Sequence, residues 1–396
     1  MSTLTGMGRF TTIDLFCGAG GITEGFKQAG FECVFGNDFD PNAVATFNRN
    51  HAPKLAVCAP IEELDATSIR RAVGLAVGDL DCLVGGPPCQ GFSINAPSRF
   101  MTDPRNHLFL DYVRFVQEFR PKTLLFENVP GLLSLASGAV AKQIVHEIGA
   151  LGYDIRMRIL FAAHYGVPQE RWRLIILASR IGEAPLHPAP TRNAVGRANF
   201  TGGRTLTFKL DEMTCATLKP SVTVAEAIGD LPPIEAGGGD DDMPYDRPAW
   251  SDFALEMRQN SDRVRHHVAP KIAMVNRERL KHIKPGGSWR DIPFELLPKG
   301  MKLARHSDHT RRYGRLRPDG LSGTVMTKID PHWGAAFHYE QDRTLTVREA
   351  ARLQSFPDSY LFDGSRGSQY EQVGNAVPVL MAKAIADSMA SSLSAQ

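Results

Sequence analysis

Short apolar runs alternate with helical patterns over the first 180 residues of the chain. The apolar runs lie at Phe10–Phe16, Cys33–Gly36, Cys82–Val84 and Thr123–Phe126. Amphipathic stretches such as Pro41–Asn50 and His107–Phe119 separate them. This alternation predicts an α/β fold, in which an open, doubly wound, mostly parallel sheet carries helices on both faces.

The pattern changes after this region. Asp154–Phe161 and Arg173–Ser179 predict a strand pair that closes one edge of the sheet. From Ile181 to Glu340 the chain mixes Gly, Pro, basic and aromatic residues with little periodicity, and Gly237–Asp242 predicts a flexible surface turn. We therefore expect a first domain over residues 1–180 and a smaller, irregular domain over 181–340.

Helical periodicity returns near the C-terminus. It begins at Thr346, and a second helix is predicted from Val379 to Leu393. We expect residues 341–396 to return to the first domain and complete it.

Composition excludes several classes of protein. With 43% apolar and 22% charged residues in a chain of 396, global disorder is excluded. There is no run of about 18 apolar residues, so we expect no membrane span. The six cysteines form no CxxC pair, which favours a reduced compartment over a disulfide scaffold, and we expect no metal site.

The net charge of +2 hides a strong asymmetry along the chain. The segment from Arg258 to Arg317 holds 16 Lys and Arg residues against 5 Asp and Glu residues, and the remainder is acidic on balance. Such an asymmetry indicates an element that faces a polyanion.

A glycine-rich turn follows the first predicted strand, at Asp14–Gly21. Glycines at the start of a helix let a ligand approach backbone N–H groups closely, although many such loops are only tight turns. Asp38 lies 20 residues beyond Gly18 at the end of the next strand, where a carboxylate commonly binds ribose hydroxyls. It also fits a turn or helix cap before Pro41, but together the two features favour a nucleoside-like cofactor.

Two more chemical features follow later strands. Gly85–Ser93 places Cys89 in a stiff loop of glycines and prolines, which favours a nucleophile over a buried structural thiol. Glu127 follows the strand Thr123–Phe126 and is a candidate acid, although a lone carboxylate there also serves as a cap. Ligands bind at the carboxyl ends of strands in such sheets, so these features converge on one crevice.

The motifs, in this order, closely resemble those of the C5-cytosine DNA methyltransferases over nearly the whole chain. The segments that carry the resemblance are Asp14–Gly21, Pro87-Pro88-Cys89-Gln90, Glu127-Asn128-Val129, Gln169-Glu170-Arg171-Trp172-Arg173, Arg348–Pro357 and Gly374–Pro378. The resemblance implies a Rossmann-like class I methyltransferase fold with a smaller, irregular target-recognition domain. It also implies methyl transfer from S-adenosylmethionine to C5 of cytosine.

The resemblance assigns catalytic roles to four residues. Cys89 attacks C6 of the cytosine, and Glu127 holds and protonates N3. Arg173 contacts O2 of the base, and Arg171 supports the site. Ordinary ion pairs of a surface hairpin are the alternative for the two arginines. Pro87, Pro88, Gln90 and Ser93 belong to the loop that carries Cys89 against the base.

The resemblance also assigns positions that line the cofactor. They are Phe16, Gly18, Gly20, Asp38, Phe39, Leu108 and Asn375. Phe39 matches an aromatic that packs on the adenine, a role compatible with a place in the core. One departure occurs at Ala59-Pro60-Ile61, where family members often carry Gly-Asp-Ile with the aspartate on the adenine amino group. That contact is expected to be absent or supplied by backbone, which bears on cofactor affinity.

The implied partner is double-stranded DNA, from which the target base must be extruded. The basic segment is expected to hold phosphates and to read a few guanine edges. The candidates are Arg311, Arg312, Tyr313, Arg315 and Arg317, and a solvated basic face is the alternative. The resemblance further implies a monomer on DNA in the nucleoid-containing cytoplasm of a prokaryote or phage host. A restriction endonuclease is an expected genetic partner, and an orphan enzyme is the alternative.

Three other functions are disfavoured. A tRNA methyltransferase of the same family carries a Cys-Phe-Thr signature in a short target domain, which the long region 181–340 lacks. Amino-group methyltransferases follow their Pro-Pro pair with an aromatic, whereas Cys89 follows Pro88 here. A catalytically silent DNA-binding protein does not need Cys89, Glu127 and both arginines together.

Overall fold

The computed structural model of the protein describes residues 10–52, 54–88, 108–198, 206–305 and 311–395. It divides the chain into two compact units. The first contains the residues up to Tyr165, Trp172–Leu218 and the residues from Val377 onward, and the second contains Gly166–Arg171 and Lys219–Ala376. The sequence-based domain boundaries at 180 and 340 remain predictions.

The strands are short outside the first unit's main sheet. They are β1 (Phe10–Leu15), β2 (Phe31–Asp38), β3 (Ala56–Cys58), β4 (Cys82–Gly85), β5 (Thr123–Asn128), β6 (Asp154–Phe161), β7 (Trp172–Ser179), β8 (Arg192–Asn193), β9 (Gly196–Ala198), β10 (Leu206–Phe208), β11 (Lys219–Pro220), β12 (Gly239–Pro244), β13 (Arg263–Val268), β14 (Gly314–Arg315) and β15 (Ala335–Phe337). The helices are α1 (Gly21–Gln28), α2 (Pro41–Asn50), α3 (Ala66–Ala72), α4 (Leu108–Phe119), α5 (Ala139–Ala150), α6 (Glu212–Thr217), α7 (Val224–Ile228), α8 (Asp252–Met257), α9 (Met274–Leu280), α10 (Val347–Leu353), α11 (Arg366–Asn375) and α12 (Val379–Ser394).

The first unit is built on a seven-stranded sheet with the strand order β3-β2-β1-β4-β5-β7-β6. Strands β1 to β5 run parallel, and β7 pairs antiparallel with both β5 and β6. The sheet is therefore mostly parallel and doubly wound, which confirms the predicted fold class. The reversal in order beside β1 and β4 places the crevice of such a sheet at the carboxyl ends of these strands.

Local sequence explains why these elements begin where they do. Asp40 caps α2, because its carboxylate accepts hydrogen bonds from the backbone N–H groups of Asn42 and Ala43, and Pro41 occupies the first turn. The central strands are buried on both faces; Leu83, Leu124 and Ile176 are essentially inaccessible. This burial accounts for the continuous apolar runs that predicted the strands. The helix expected from His107 is described from Leu108, since His107 lies outside the described residues.

Helix α12 packs closely on α1 within the first unit, and Gly25 makes this approach possible. A Cβ atom at Gly25 would lie 2.6 Å from both the Ala382 Cβ and the Lys383 backbone nitrogen. Arg366–Ser394 is long and apolar enough to cross a membrane by length and composition only, with half of its most apolar window buried. The packing of α12 on α1 explains that apolar composition.

Gly25→Ala is expected to lower the free energy of unfolding by about 1–3 kcal/mol, because the added methyl group overlaps the backbone of α12. Gly149→Ala in α5 is the matched control, since its Cβ would lie at an ordinary 3.8 Å from Ile155 Cδ1. That variant should be unchanged or more stable by about 0.5–1 kcal/mol, because alanine favours helix. Guanidinium denaturation followed by circular dichroism measures both, and equal stabilities would contradict the packing argument.

The second unit has a small apolar core and a buried ionic network. Trp289, Tyr313 and Phe337 form part of the core. Arg352, which is fully buried, pairs with Asp358 at 2.5 Å and with Asp230 at 3.0 Å. Because removing one member of such a network leaves a buried charge without its partner, the network constrains how α10 packs.

The expectation of a flexible turn at Gly237–Asp242 is partly wrong. Gly237 has the positive φ of a turn, but β12 begins at Gly239 and pairs antiparallel with β13. Asp242 forms ion pairs with Arg263 and Arg265 on β13. The three aspartates are acceptable in a strand because they are exposed, and Asp242 faces arginines across the hairpin while Asp241 pairs with Arg366.

Candidate active site

The glycine-rich loop joins β1 to α1 and turns through left-handed backbone. Phe16, Gly18 and Gly20 have φ values of 57°, 53° and 86°. A Cβ atom at Gly18 would have no heavy atom within 4 Å, so the space beside this backbone is open. Gly20 caps α1. The loop therefore presents backbone N–H groups and open space at the start of a helix, the arrangement expected for a cofactor loop.

Asp38 fixes this loop to the end of β2. Its Oδ2 accepts a hydrogen bond from the Gly18 N–H at 2.8 Å, and its Oδ1 accepts from the Asp40 N–H at 2.9 Å. Burial raises the pKa of Asp38 above its ordinary value. Phe39 directly follows Asp38 in the chain and is 68% exposed. Leu108, at the start of α4, packs against the core of the same unit.

These residues fit a nucleoside-containing methyl donor. The open space beside Gly18 can admit the cofactor, the fixed carboxylate of Asp38 can accept from ribose hydroxyls, and the Phe39 ring can pack on a purine.

The departure at Pro60 is accompanied by a backbone arrangement that Asn37 holds in place. The Asn37 side-chain Nδ2 donates to the carbonyl groups of Val57 at 3.2 Å and Ala59 at 2.9 Å. The Ala59 N–H donates to the Asp38 carbonyl at 3.1 Å. Pro60 has no N–H and no carboxylate, so any polar contact to an adenine amino group at this position must come from a backbone carbonyl.

Asp14 is a polar residue of this region that the sequence reasoning did not select as a site residue. It is fully buried near the end of β1, and its Oδ2 accepts from the Thr23 hydroxyl at 2.6 Å. Its Oδ1 has no hydrogen-bond partner in the described part of the chain. Burial raises the pKa of Asp14 to about 7. The available signal was a carboxylate in an otherwise apolar strand, directly before the glycine loop.

Glu127 and Arg173 form an ion pair on adjacent strands β5 and β7. The distance from Arg173 Nε to Glu127 Oε1 is 2.6 Å, and the two side chains are only 13% and 12% exposed. Burial lowers the pKa of Arg173, and the neighbouring Glu127 opposes this shift. The structure thus brings together two of the four predicted catalytic residues, in a largely water-excluded position.

The chain that leads to Cys89 leaves the sheet next to this pair. A Cβ atom at Gly86 would lie 2.9 Å from Glu127 Oε2. The side-chain Nδ2 of Asn128 donates to the Pro87 carbonyl at 3.1 Å, which ties the loop to the end of β5. Pro87 and Pro88 are described; Cys89, Gln90 and Ser93 lie outside the described residues.

Arg171 lies in the second unit, where it holds two backbone carbonyl groups. Its Nη2 donates to Gly374 at 3.0 Å and to Ala376 at 2.9 Å, the residues on either side of Asn375. Gln354 Nε2 also donates to the Ala376 carbonyl, at 3.1 Å. Arg171 is 1% exposed, whereas Asn375 is an exposed residue. Arg171 therefore acts on backbone that carries a predicted cofactor residue.

The four candidate DNA-binding arginines have different surroundings. Arg311 pairs with Glu170, and Arg317 pairs with Asp319 at 2.9 Å. Arg315 is only 10% exposed and donates to four carbonyl groups and to Asp342. The Arg315 guanidinium is therefore used inside the fold, and the other three arginines remain the candidates for DNA contacts.

The described ranges contain no group of three or more His, Cys, Asp or Glu side chains that could hold a metal ion. The His266–His267 pair is accounted for by other contacts. His267 bonds the Pro232 carbonyl at 2.8 Å and the Thr346 hydroxyl at 3.0 Å, and His266 accepts from the Phe362 N–H at 3.0 Å.

A mostly parallel seven-stranded sheet with a glycine-rich loop after β1 is consistent with the class I methyltransferase fold. Residues 10–391 match the family described as C-5 cytosine-specific DNA methylase. The chain belongs to this family and is a DNA (cytosine-5)-methyltransferase, which confirms the resemblance seen in the sequence.

Individual relatives align with nearly the whole chain. It is 35% identical to the type II methyltransferase M.AgeI of Thalassovita gelatinovora, over 96% of this chain and 98% of that protein. It is 34% identical to the type II methyltransferase M.DdeI of Desulfomicrobium norvegicum, over 95% and 87% of the two chains. The solved structure of a putative DNA modification methyltransferase encoded within an E. coli prophage has the same fold, with a TM-score of 0.72 at 24% identity and coverage of 97% and 99%.

Proposed function

We propose that this enzyme transfers a methyl group from S-adenosylmethionine to C5 of a cytosine that has been extruded from a short, specific sequence of duplex DNA, through a covalent bond between Cys89 and C6. The observation that carries the proposal is the Glu127–Arg173 pair beside Gly86, three residues before Cys89. Nucleophilic attack on a cytosine ring needs a thiolate, an acid and a cation that binds the ring oxygen. The Glu127 carboxyl group and the Arg173 guanidinium lie next to the start of the loop that carries Cys89.

The chemical steps follow from the weak nucleophilicity of C5. The Cys89 thiolate adds to C6, and Glu127, which takes a proton from solvent once it has left its ion pair with Arg173, gives that proton to N3. The ring then becomes an enamine-like species with electron density at C5. Arg173 turns from Glu127 to O2 of the base and frees the carboxyl group for N3. C5 takes the methyl group as the bond between that carbon and the sulfonium sulfur breaks, which leaves the donor as a neutral thioether. A water molecule then removes the C5 proton, the thiolate leaves C6, and N3 returns its proton to Glu127. The aromatic ring and the enzyme are both restored.

S-adenosylmethionine supplies the methyl group as an electrophilic carbon on a sulfonium sulfur. Phe16, Gly18, Gly20, Asp38, Phe39, Leu108 and Asn375 are the residues that we propose to hold it. Among these, Asp38 orients the loop through the Gly18 N–H and keeps a carboxylate available for hydroxyl groups.

We assign target recognition to residues 219–340, which the predicted domain 181–340 and the second unit share. Lys and Arg residues there hold phosphates and make affinity salt-dependent. Cys89, Gln90 and Ser93 are the residues that we propose to contact the extruded base.

The names of the relatives support a place in restriction-modification. Because M.AgeI and M.DdeI are type II methyltransferases, we propose that the gene accompanies one for an endonuclease that cuts the same sequence. The enzyme then acts as a monomer on DNA in the cytoplasm of a prokaryote or of a phage-infected cell. The alternative is an orphan enzyme, for which the neighbouring genes would include no endonuclease.

The product identifies the reaction. The purified protein is incubated with S-adenosylmethionine and either unmethylated genomic DNA or total tRNA. The nucleic acid is then digested to nucleosides, which are identified by mass spectrometry. We expect 5-methyldeoxycytidine from DNA and no new methylcytidine from tRNA. N4-methyldeoxycytidine, N6-methyldeoxyadenosine or a product only in tRNA would overturn the proposal.

Arg171→Lys is expected to raise the KM for S-adenosylmethionine about tenfold while kcat changes less. A lysine cannot hold two carbonyl groups as a guanidinium does, and losing one charge-assisted hydrogen bond costs about 1.5 kcal/mol, which corresponds to about a factor of ten. Asn375→Ala should raise the same KM, and the double variant should add little, because both changes act through one segment.

Arg180→Lys provides the matched control for Arg171→Lys. Arg180 also donates to three backbone carbonyls, those of Arg120, Pro121 and Gly78, but it lies in the first unit and not in the second. Its replacement is expected to lower stability without raising the KM for S-adenosylmethionine. If both variants lose only stability, Arg171 does not position Asn375.

A further inference from the structure

Within the described ranges, Arg312 differs from the other three candidate DNA-binding arginines, each of which has an anionic partner. Arg311 pairs with Glu170, Arg315 with Asp342 and Arg317 with Asp319. Among the described residues, Arg312 forms no ion pair, and its guanidinium lies over the ring of Trp333, 4.9 Å from the centroid. A guanidinium on an indole face is attractive even at an exposed site.

Trp333 is itself exposed and held in place. Its side chain and backbone are 59% accessible to solvent. The Trp333 N–H donates to the Asp330 carbonyl at 3.0 Å, and the His332 N–H donates to the Asp330 carboxylate at 2.8 Å. The His332 ring meets the indole edge-on with centroids 5.0 Å apart. The turn therefore fixes the orientation of a ring that remains largely in water.

The turn is anchored to the core of the second unit through Tyr313. The Tyr313 N–H donates to the Pro331 carbonyl at 2.6 Å, and its ring meets that of His332 at 6.1 Å. Tyr313 is only 5% exposed and packs with Trp289 and Phe337. An exposed aromatic on a mobile turn would be an ordinary surface residue, whereas one anchored to a core in this way is oriented before a partner arrives.

The chemistry of this surface selects a nucleobase. The exposed Trp333 ring gains free energy when it stacks on another apolar face, because its contact with water is removed. The Arg312 guanidinium beside it attracts an anionic group. Phosphates and aromatic faces occur together in DNA, but the faces of its bases are covered in a regular duplex. A base face becomes available where a neighbouring base has left the stack, and aromatic side chains stack on such bases with little regard to sequence.

We propose that Trp333 stacks on an unstacked base of the bound DNA, with Arg312 held beside it to contact the adjacent phosphate. This inference rests on the proposed function, because it needs a DNA substrate whose stacking is interrupted. It adds a named aromatic contact that stabilises the opened duplex, at a residue that the sequence did not single out.

The test compares variants on two duplexes, an intact one with the sequence that the enzyme methylates and the same duplex with an abasic site at the target cytosine. Trp333→Ala is expected to weaken binding to the abasic duplex about tenfold or more, with an unchanged dependence on salt. Trp333→Phe should recover most of this loss. Arg312→Ala is expected to reduce the slope of log affinity against log salt by about one unit.

Trp250→Ala is the matched control, since Trp250 is 54% exposed in the same unit, and it should bind both duplexes as the wild type does. Wild-type affinity of Trp333→Ala for both duplexes would overturn the inference, as would equal losses for the Ala and Phe variants. Circular dichroism and methyl-donor binding establish that each variant is folded. If the wild type methylates DNA while Trp333→Ala binds normally, only this inference fails; if the wild type does not methylate DNA, the proposed function fails.

Discussion

A Cys89→Ala variant is expected to transfer no measurable methyl group to DNA, while it still binds both DNA and S-adenosylmethionine. Without the thiolate, C6 receives no nucleophile, and C5 of an aromatic cytosine does not attack the methyl carbon at a useful rate. The measurement is transfer of labelled methyl groups to unmethylated DNA. A second readout is a denaturation-resistant complex with DNA that contains 5-fluorocytosine, because fluorine at C5 cannot leave as a proton does.

Three of the five other cysteines are poor candidates for the nucleophile. Cys17 and Cys82 are buried, and burial raises the pKa of both thiols well above the ordinary value. Burial also raises the pKa of Cys33 to about 12. These thiols are poor sources of thiolate. Cys215→Ala is the matched control and should retain methyl transfer and the 5-fluorocytosine complex. A complex that persists in Cys89→Ala would show that another residue attacks C6.

A Glu127→Gln variant is expected to lose about 10²- to 10⁴-fold in kcat, which is the usual contribution of a positioned general acid. Glutamine has nearly the same size and can still bond the base edge, but it cannot give a proton to N3. Because the partner Arg173 is largely buried, the variant also leaves this cation without its ion pair. Single-turnover rates at saturating DNA and cofactor separate the chemical step from binding.

Glu183→Gln is the control for neutralising a carboxylate that pairs with an arginine. Glu183 pairs with Arg156 on the surface and is 86% exposed, so its neutralisation should leave the rate unchanged. If Glu127→Gln keeps the wild-type single-turnover rate, proton transfer by Glu127 is not part of the reaction. If it loses only DNA affinity, Glu127 binds the base without acting as an acid.

The sequence predicted the elements whose signals are local. Helix α2 was expected at Pro41–Asn50 and is found there, because Asp40 caps it and Pro41 starts it. The strands β1, β4 and β5 were visible as apolar runs because both faces of each are buried. The order of motifs also placed Glu127 and Arg173 at one site, and they form an ion pair at 2.6 Å.

Features that depend on long-range packing were not visible. Arg315 looked like its neighbours in sequence, and only the fold shows that its guanidinium holds backbone carbonyls. Glycine at position 25 gave no signal, because the helix it meets lies more than 350 residues further along the chain. Trp333 was missed because an isolated aromatic in an irregular region has no period to mark it, and its pairing with Arg312 needs the folded turn.

Bisulfite sequencing of host DNA tests the central claim most directly. The wild-type protein and Cys89→Ala are expressed separately in a host that lacks cytosine methylation, and every cytosine in the genome is scored. We predict protection of one cytosine within one short sequence for the wild type, and none for the variant. No protection by the wild type would contradict C5 methylation of DNA, and equal protection by both proteins would contradict catalysis through Cys89.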